Sequence, residues 1–276
     1  MIIDLVAGEM GRAGVDAAAS LMAALPGLPM ARRRHAAVGE PSGWSPAELS
    51  PRAWYDAVLS PKQFGSGSLV SRWDDLSGNE RHAAQNTAAF QPAYDAADGW
   101  LEFDGTNDAL VPSSSLIAAG TGSFTLAAVY RKDNTADRYV YSQGGSSNHR
   151  SIFLGGASGW RFSLWGALMS DQGSLSVGAD HIAIWTYTGS ARQIHVDGAQ
   201  IFSGSYSAAN LLASSPVIGG PFDNGANRIA GRMRSLISFG AGLSQQDRER
   251  LEGYLAHRWS IAGNLPAGHP HKAAAP

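Results

Sequence analysis

The chain has no cysteine among its 276 residues, which excludes a disulfide framework and thiolate metal sites and leaves core packing to hold the fold. Charge is also scarce. Asp, Glu, Lys and Arg make up 16% of the chain and the formal net charge is -2, so there is no electrostatic footprint for nucleic acid or an anionic membrane surface. No apolar run reaches the roughly 18 residues of a membrane-spanning helix. The opening Met1-Ile2-Ile3-Asp4-Leu5 has no basic segment and carries Asp4, with Glu9 close behind, so no secretory leader is expected. Glycine, by contrast, is abundant at 33 residues, which suits many short strands joined by tight turns.

Texture changes along the chain. Val15, Ala18, Ala19, Met22 and Leu25 fall at helical spacing, and Pro26-Gly27-Leu28-Pro29 ends that helix. Arg32 to Arg34 read as a solvated charge cluster, and Gly39 to Pro46 as a linker. Residues 1–44 are therefore expected to form an N-terminal arm, serving either to anchor the protein to an assembly or as a loose extension. Residues 45–276 are expected to form the main domain.

That domain is organised around Leu101 to Val111. Leu101 and Phe103 alternate with Glu102 and Asp104, the period of a strand with one buried face. Asp104-Gly105 supplies a tight turn, and a second strand, Ala109 to Val111, is expected to close a hairpin. Downstream, candidate strands recur from Ser123 to Phe239, with Asp197-Gly198 marking a further hairpin. Ser244 sits where a helix N-cap belongs, and Leu251, Tyr254, Leu255 and Trp259 share a helical face. The expected fold is all-β, two packed antiparallel sheets followed by a C-terminal helix.

Trp73-x-Asp75-x-Ser77-Gly78-Asn79, Gln91-Pro92-x-Tyr94, Phe103-Asp104-Gly105-x-x-Asp108, Gly231 to Leu236 and the closing Leu265-Pro266-x-Gly268-His269-Pro270 occur in an order that resembles a laminin-G-like jelly roll of the concanavalin A-like lectin/glucanase superfamily, over about residues 53 to 271. The resemblance implies an antiparallel jelly-roll β-sandwich and recognition of sugars. Its likeness to phage and gene-transfer-agent particle proteins implies a virion or virus-like particle surface, with synthesis in a bacterial cytoplasm. A cell-surface polysaccharide, other particle proteins bound through the arm, and further copies of the chain are the implied partners. A structural virion protein that binds no sugar and an atypical glycan hydrolase are the alternatives.

Hydrolases of that superfamily carry Glu-x-Asp-x-x-Glu or a variant on one strand, with nucleophile and acid about 5–5.5 Å apart in retaining enzymes. Glu102 and Asp104 match the first two acids, but Asn107 stands where the second Glu is required and cannot donate a proton as a carboxylic acid would. No catalytic residue is therefore expected. No nucleophile elbow, phosphate loop or His-Glu-x-x-His motif occurs either. Sugar binding calls for planar hydrogen-bonding groups and aromatic faces held in loops. Asn148, His149 and Arg150 in one loop, followed by Trp160, and Phe222, Asp223, Asn224 and Asn227 in another are the expected ligand-binding residues. Asp104, Asn107 and Asp108 have the oxygen chemistry of a calcium site. Turn formation explains them equally well.

Overall fold

The computed structural model describes residues 43–145, 151–164, 169–207, 209–221 and 225–276. The arm, apart from its last two residues, and Asn148, His149, Arg150, Phe222, Asp223 and Asn224 lie outside the described residues.

Among the described residues the strands run β1 (Ala53–Asp56), β2 (Lys62–Phe64), β3 (Val70–Trp73), β4 (Ala83–Ala84), β5 (Ala93–Asp95), β6 (Trp100–Asp104), β7 (Val111–Pro112), β8 (Phe124–Lys132), β9 (Arg138–Gln143), β10 (Ser151–Gly155), β11 (Trp160–Leu164), β12 (Asp180–Tyr187), β13 (Ala191–Val196), β14 (Ala199–Ser205), β15 (Val217–Ile218) and β16 (Ala230–Phe239), before helix α1 (Gln245–Arg258). The larger sheet has the order β14-β13-β12-β8-β16-β6-β5, with β1 also on β16. Strand β16 is long enough to take two partners on one edge, β6 through Ala230–Met233 and β1 through Ser235–Ser238. Sheets β11-β10-β9-β15 and β2-β3-β4-β7 meet at an antiparallel bridge between Leu110 and Ile218 and form the opposing layer. The expected antiparallel sandwich with a C-terminal helix is the observed fold.

Period-two alternation decides what each strand buries. Phe124 of β8 lies 6.1 Å from Phe153 and 5.9 Å from Phe162 of the opposing layer. Trp185 lies 5.7 Å from Phe153, and Tyr55 packs 5.3 Å from Trp73. The other face of the same sheet is covered in part by α1. There Trp259 donates its indole N–H to Ser235 Oγ at 2.9 Å, and Tyr254 packs edge-on to Trp54 at 6.3 Å. This cover explains why β8 is buried continuously from Phe124 to Tyr130 and opens only at Arg131. A bulge at Arg234, where the β16–β8 register shifts, lets Arg234 and Ser235 both meet Trp259.

The helix starts where its cap signal placed it. Ser244 Oγ accepts the Asp247 backbone N–H at 3.1 Å and donates to the Asp247 carboxylate at 2.7 Å. Glu252 is wholly buried behind the helix, gripped by Arg248 at 2.8 Å and His269 at 3.1 Å. His269 Nδ1 accepts the His271 backbone N–H, so its Nε2 carries the proton and donates to Glu252. Burial pushes the Glu252 carboxyl up, against the opposing pull of Arg248 and His269. The closing Leu265-to-Pro270 segment is thereby tied to the helix. Packing already includes Trp44, within the stretch read as linker, whose ring stands 6.1 Å from Tyr254.

The expected hairpin does not form. The segment after Asp104-Gly105 does not return along β6 as a hairpin. Strand β6 pairs with β5 and β16, whereas β7 pairs with β4 in the opposing layer. Gly105 does adopt φ +78, but the turn redirects the chain across the sandwich, because Leu110 is buried against Ile218 there. Burying a leucine is worth about 1.5–3 kcal/mol, which a solvated hairpin strand would forgo.

Candidate functional site

The part of the large sheet that α1 leaves uncovered carries a charged row. Asp180, Arg131, Arg232 and Glu102 stand directly opposite one another on β12, β8, β16 and β6. Two arginines face each other on neighbouring strands, and acids flank both. Arg232 Nη2 meets Glu102 Oε1 at 2.6 Å, and its Nη1 reaches Asp98 at 3.9 Å. Arg131 Nε donates to Asp133 at 3.1 Å, and Arg234 sits 3.7 Å from Asp180. Opposite charges in register offset the like-charge contact that two facing arginines would otherwise impose.

At the β6 end of this row lies an open cleft of about 630 Å³. Its floor is the backbone of β6 and β16 around Glu102, Ala230 and Arg232, and its walls include Ala88, Gln91 and Asp133, with Asp104 and Asp108 at the turn. Gly231 gives the floor its shape. It has φ +153, and a Cβ there would stand 2.1 Å from the Arg131 carbonyl oxygen, so any side chain would push β8 and β16 apart. Gln91 is 4% exposed, with its Nε2 donating to the Gln85 carbonyl at 2.7 Å and its Oε1 without a partner.

The residues read as a cation set line up along the turn. Asp104 Oδ1 accepts the N–H of Thr106 at 2.8 Å and of Asn107 at 3.2 Å, and Asp108 Oδ2 accepts the N–H of Asp104 at 2.9 Å. The turn thus employs both carboxylates, and Asn107 Oδ1, buried and without a partner, is the oxygen left over. Among the described residues no group of three or more His, Asp or Glu side chains gathers to hold a metal ion.

Asp108 is buried, and burial, with Asp104 alongside, raises its carboxyl to about 6 despite the N–H bond from Asp104 and the charge of Arg228. The folded state therefore holds a proton between about pH 4 and 6 that the unfolded chain has released, and this contribution to stability falls as pH rises through that window. Asp108→Asn should keep the acceptor for the Asp104 N–H and remove the pH slope. Denaturant titrations at pH 4, 5, 6 and 7 are expected to show wild type gaining on the variant only as pH falls below about 6. A constant difference across the series would contradict the assignment.

Trp160 is not in a position to stack on a sugar. It is wholly buried, with Tyr130 at 5.5 Å, His181 at 5.6 Å and Trp185 at 6.1 Å around its ring and its Nε1 donating to the Ser174 carbonyl. Its strand alternation faces the sandwich interior, where desolvating a ring is favourable. Asn227 is exposed, and its carbonyl accepts the Tyr139 N–H at 3.0 Å. Trp73, Trp185 and Trp259 are all buried in packing. His195 is also interior, and burial lowers it to about 4 with Arg248 adding to the effect. Sequence reading did not assemble Gln91, Asp133 and Arg232 with Glu102. Arg232 alternates with buried Met233 along β16, but nothing local says which strand lies next to it.

A laminin-G family model, described as the concanavalin A-like lectin/glucanases superfamily, matches residues 103–247. No curated protein matches the chain. Among solved structures, Trypanosoma rangeli sialidase in complex with sialic acid superposes with a TM-score of 0.54 at 15% identity, over 74% of this chain and 32% of the sialidase. A GH54 α-L-arabinofuranosidase soaked with a cyclic sulfate inhibitor gives 0.55 at 14% identity, over 69% of this chain and 51% of that one. This chain spans about a third of the sialidase and half of the arabinofuranosidase, and at these identities the likeness is one of fold. Among the described residues no helix is long and apolar enough to cross a membrane.

Proposed function

The chain belongs to the concanavalin A-like lectin/glucanases superfamily, and from that premise we propose that it is a non-enzymatic glycan-binding module, displayed on a virion or virus-like particle to recognise a cell-surface polysaccharide. The observation that carries the reading is the cleft beside β6. Its volume of about 630 Å³ falls in the range of roughly 300–1,000 Å³ usual for small-ligand sites, and carboxylates, an amide and a guanidinium line it on a rigid sheet. Such planar groups match the paired hydroxyls of a saccharide. The particle setting rests on the resemblance in motif order noted in the sequence, with the arm as attachment and several copies supplying avidity.

Two features support binding without hydrolysis. Glu102 is engaged by Arg232, and Asp104, on the same face of the strand, is committed to its own turn. A retaining pair would need two carboxyls about 5–5.5 Å apart across the bond to be cleaved. Asn107 holds the position where the motif calls for the second. No cofactor is required on this reading; a rise in melting temperature on adding calcium would assign Asp104, Asn107 and Asp108 to the ion rather than to the turn alone.

A glycan array followed by isothermal titration tests the function. A bound glycan with no reducing-sugar release is the expected result. Glu102→Gln should weaken binding by about 0.5–3 kcal/mol through loss of an acceptor and leave the absence of hydrolysis unchanged. Sugar release by wild type that Glu102→Gln abolishes would establish a hydrolase instead, and failure of every glycan to bind would favour a purely structural particle protein.

A further inference from the structure

The cleft also discriminates by charge. Resting on the glycan-binding reading, we infer that it takes a saccharide bearing no acid group, neutral or ammonium-bearing, and rejects the uronic- or sialic-acid counterpart. Four carboxyl side chains, Glu102, Asp104, Asp108 and Asp133, line it against the single guanidinium of Arg232. That guanidinium is engaged by Glu102 at 2.6 Å, with Asp98 also in reach at 3.9 Å. Its neighbour Arg131 is held by Asp133 at 3.1 Å. A ligand carboxylate entering here would meet like charges on Glu102, Asp104 and Asp133, and would have to break an existing ion pair to reach a guanidinium.

Gln91 borders the cleft, but its amide is spent inward: Nε2 donates to the Gln85 carbonyl, and Oε1 is turned to Gly65, where an added Cβ would stand 2.4 Å from it. An aromatic or apolar ligand fits poorly as well: Ala88, Ala89, Ala93 and Ala230 offer room rather than rings, and the one lining aromatic, Phe103, is 3% exposed. The sialic acid held by the similar sialidase is therefore the wrong guide to this cleft.

The test uses the full chain in EDTA, so that no divalent cation bridges the charges, against matched oligosaccharides that differ at one group. The set comprises neutral hexose, 2-amino and uronic-acid forms of one backbone, together with sialylated and desialylated galactosides. Neutral or amino members are expected to bind at least about tenfold tighter than their acidic partners. That ratio should shrink as ionic strength rises from about 0.01 M to about 1 M, because the repulsion is screened. Asp133 is exposed at the rim, and Asp133→Lys should fold normally and shift the ratio at least about tenfold towards the acidic ligand. Acidic members binding as well as neutral ones would overturn the discrimination and leave the glycan-binding function standing. An unchanged ratio in Asp133→Lys would overturn the assignment to this cleft. If no member of a wide array bound, the function and the inference would fall together.

Discussion

Asp56→Ala is expected to destabilise the domain by about 3–5 kcal/mol, the range seen when one partner of a buried ion pair is removed. Asp56 is wholly buried at the end of β1. Its Oδ1 accepts the N–H groups of Val58 at 2.9 Å and Leu59 at 2.8 Å, and both of its oxygens take the Arg258 guanidinium at 3.1 Å. The alanine variant strips two turn amides and a largely buried arginine of their acceptor at once. It also severs a direct link between the first strand and the last turn of α1, 202 residues apart in sequence. Asp56→Asn keeps one oxygen for the turn amides and should fall between wild type and alanine. Urea denaturation followed by tryptophan fluorescence reads all three. A loss below about 1 kcal/mol for the alanine variant, the size of an exposed pair, would mean that this bridge does not hold the helix to the sheet.

Trp160→Ala should cost a similar amount, about 3–5 kcal/mol, as a large ring removed from a packed core leaves a cavity that its neighbours fill only in part. Tyr130, His181 and Trp185 each lose an aromatic contact, and the Ser174 carbonyl loses its indole donor. Trp160→Phe keeps a ring in place and should recover part of the loss. Melting and glycan titration on the same preparations separate packing from recognition. The expected outcome is a melting temperature lower by about 10 °C, with affinity retained in whatever fraction remains folded. Normal melting with lost binding would return Trp160 to the ligand-binding residues.

Local choices follow from the sequence without tertiary context. Alternation at Leu101 to Asp104, the Asp197-Gly198 turn and the cap at Ser244 each depend on residues within a few positions of one another, and short-range sterics and hydrogen bonding are enough to settle them. They yielded the strands, the helix and its buried face, and the order of motifs yielded the sandwich. The tertiary structure alone decided where strands go after their turns. Asp104-Gly105 permits a hairpin as readily as a crossing, and burial of Leu110 against Ile218 selects the crossing. It also decided which polar side chains meet. Glu102 reads as a solvated strand residue until β16 is laid beside it, when Arg232 comes within 2.6 Å. Glu252 reads as one more helical acid until the closing segment folds back and His269 reaches it. Trp160 and a ring in a binding loop are alike in chemistry, and only the packing of the two layers separates them. Recognition on this domain rests on contacts between residues distant in sequence, and pairing across a sheet is set by the burial of the whole rather than by any segment within it.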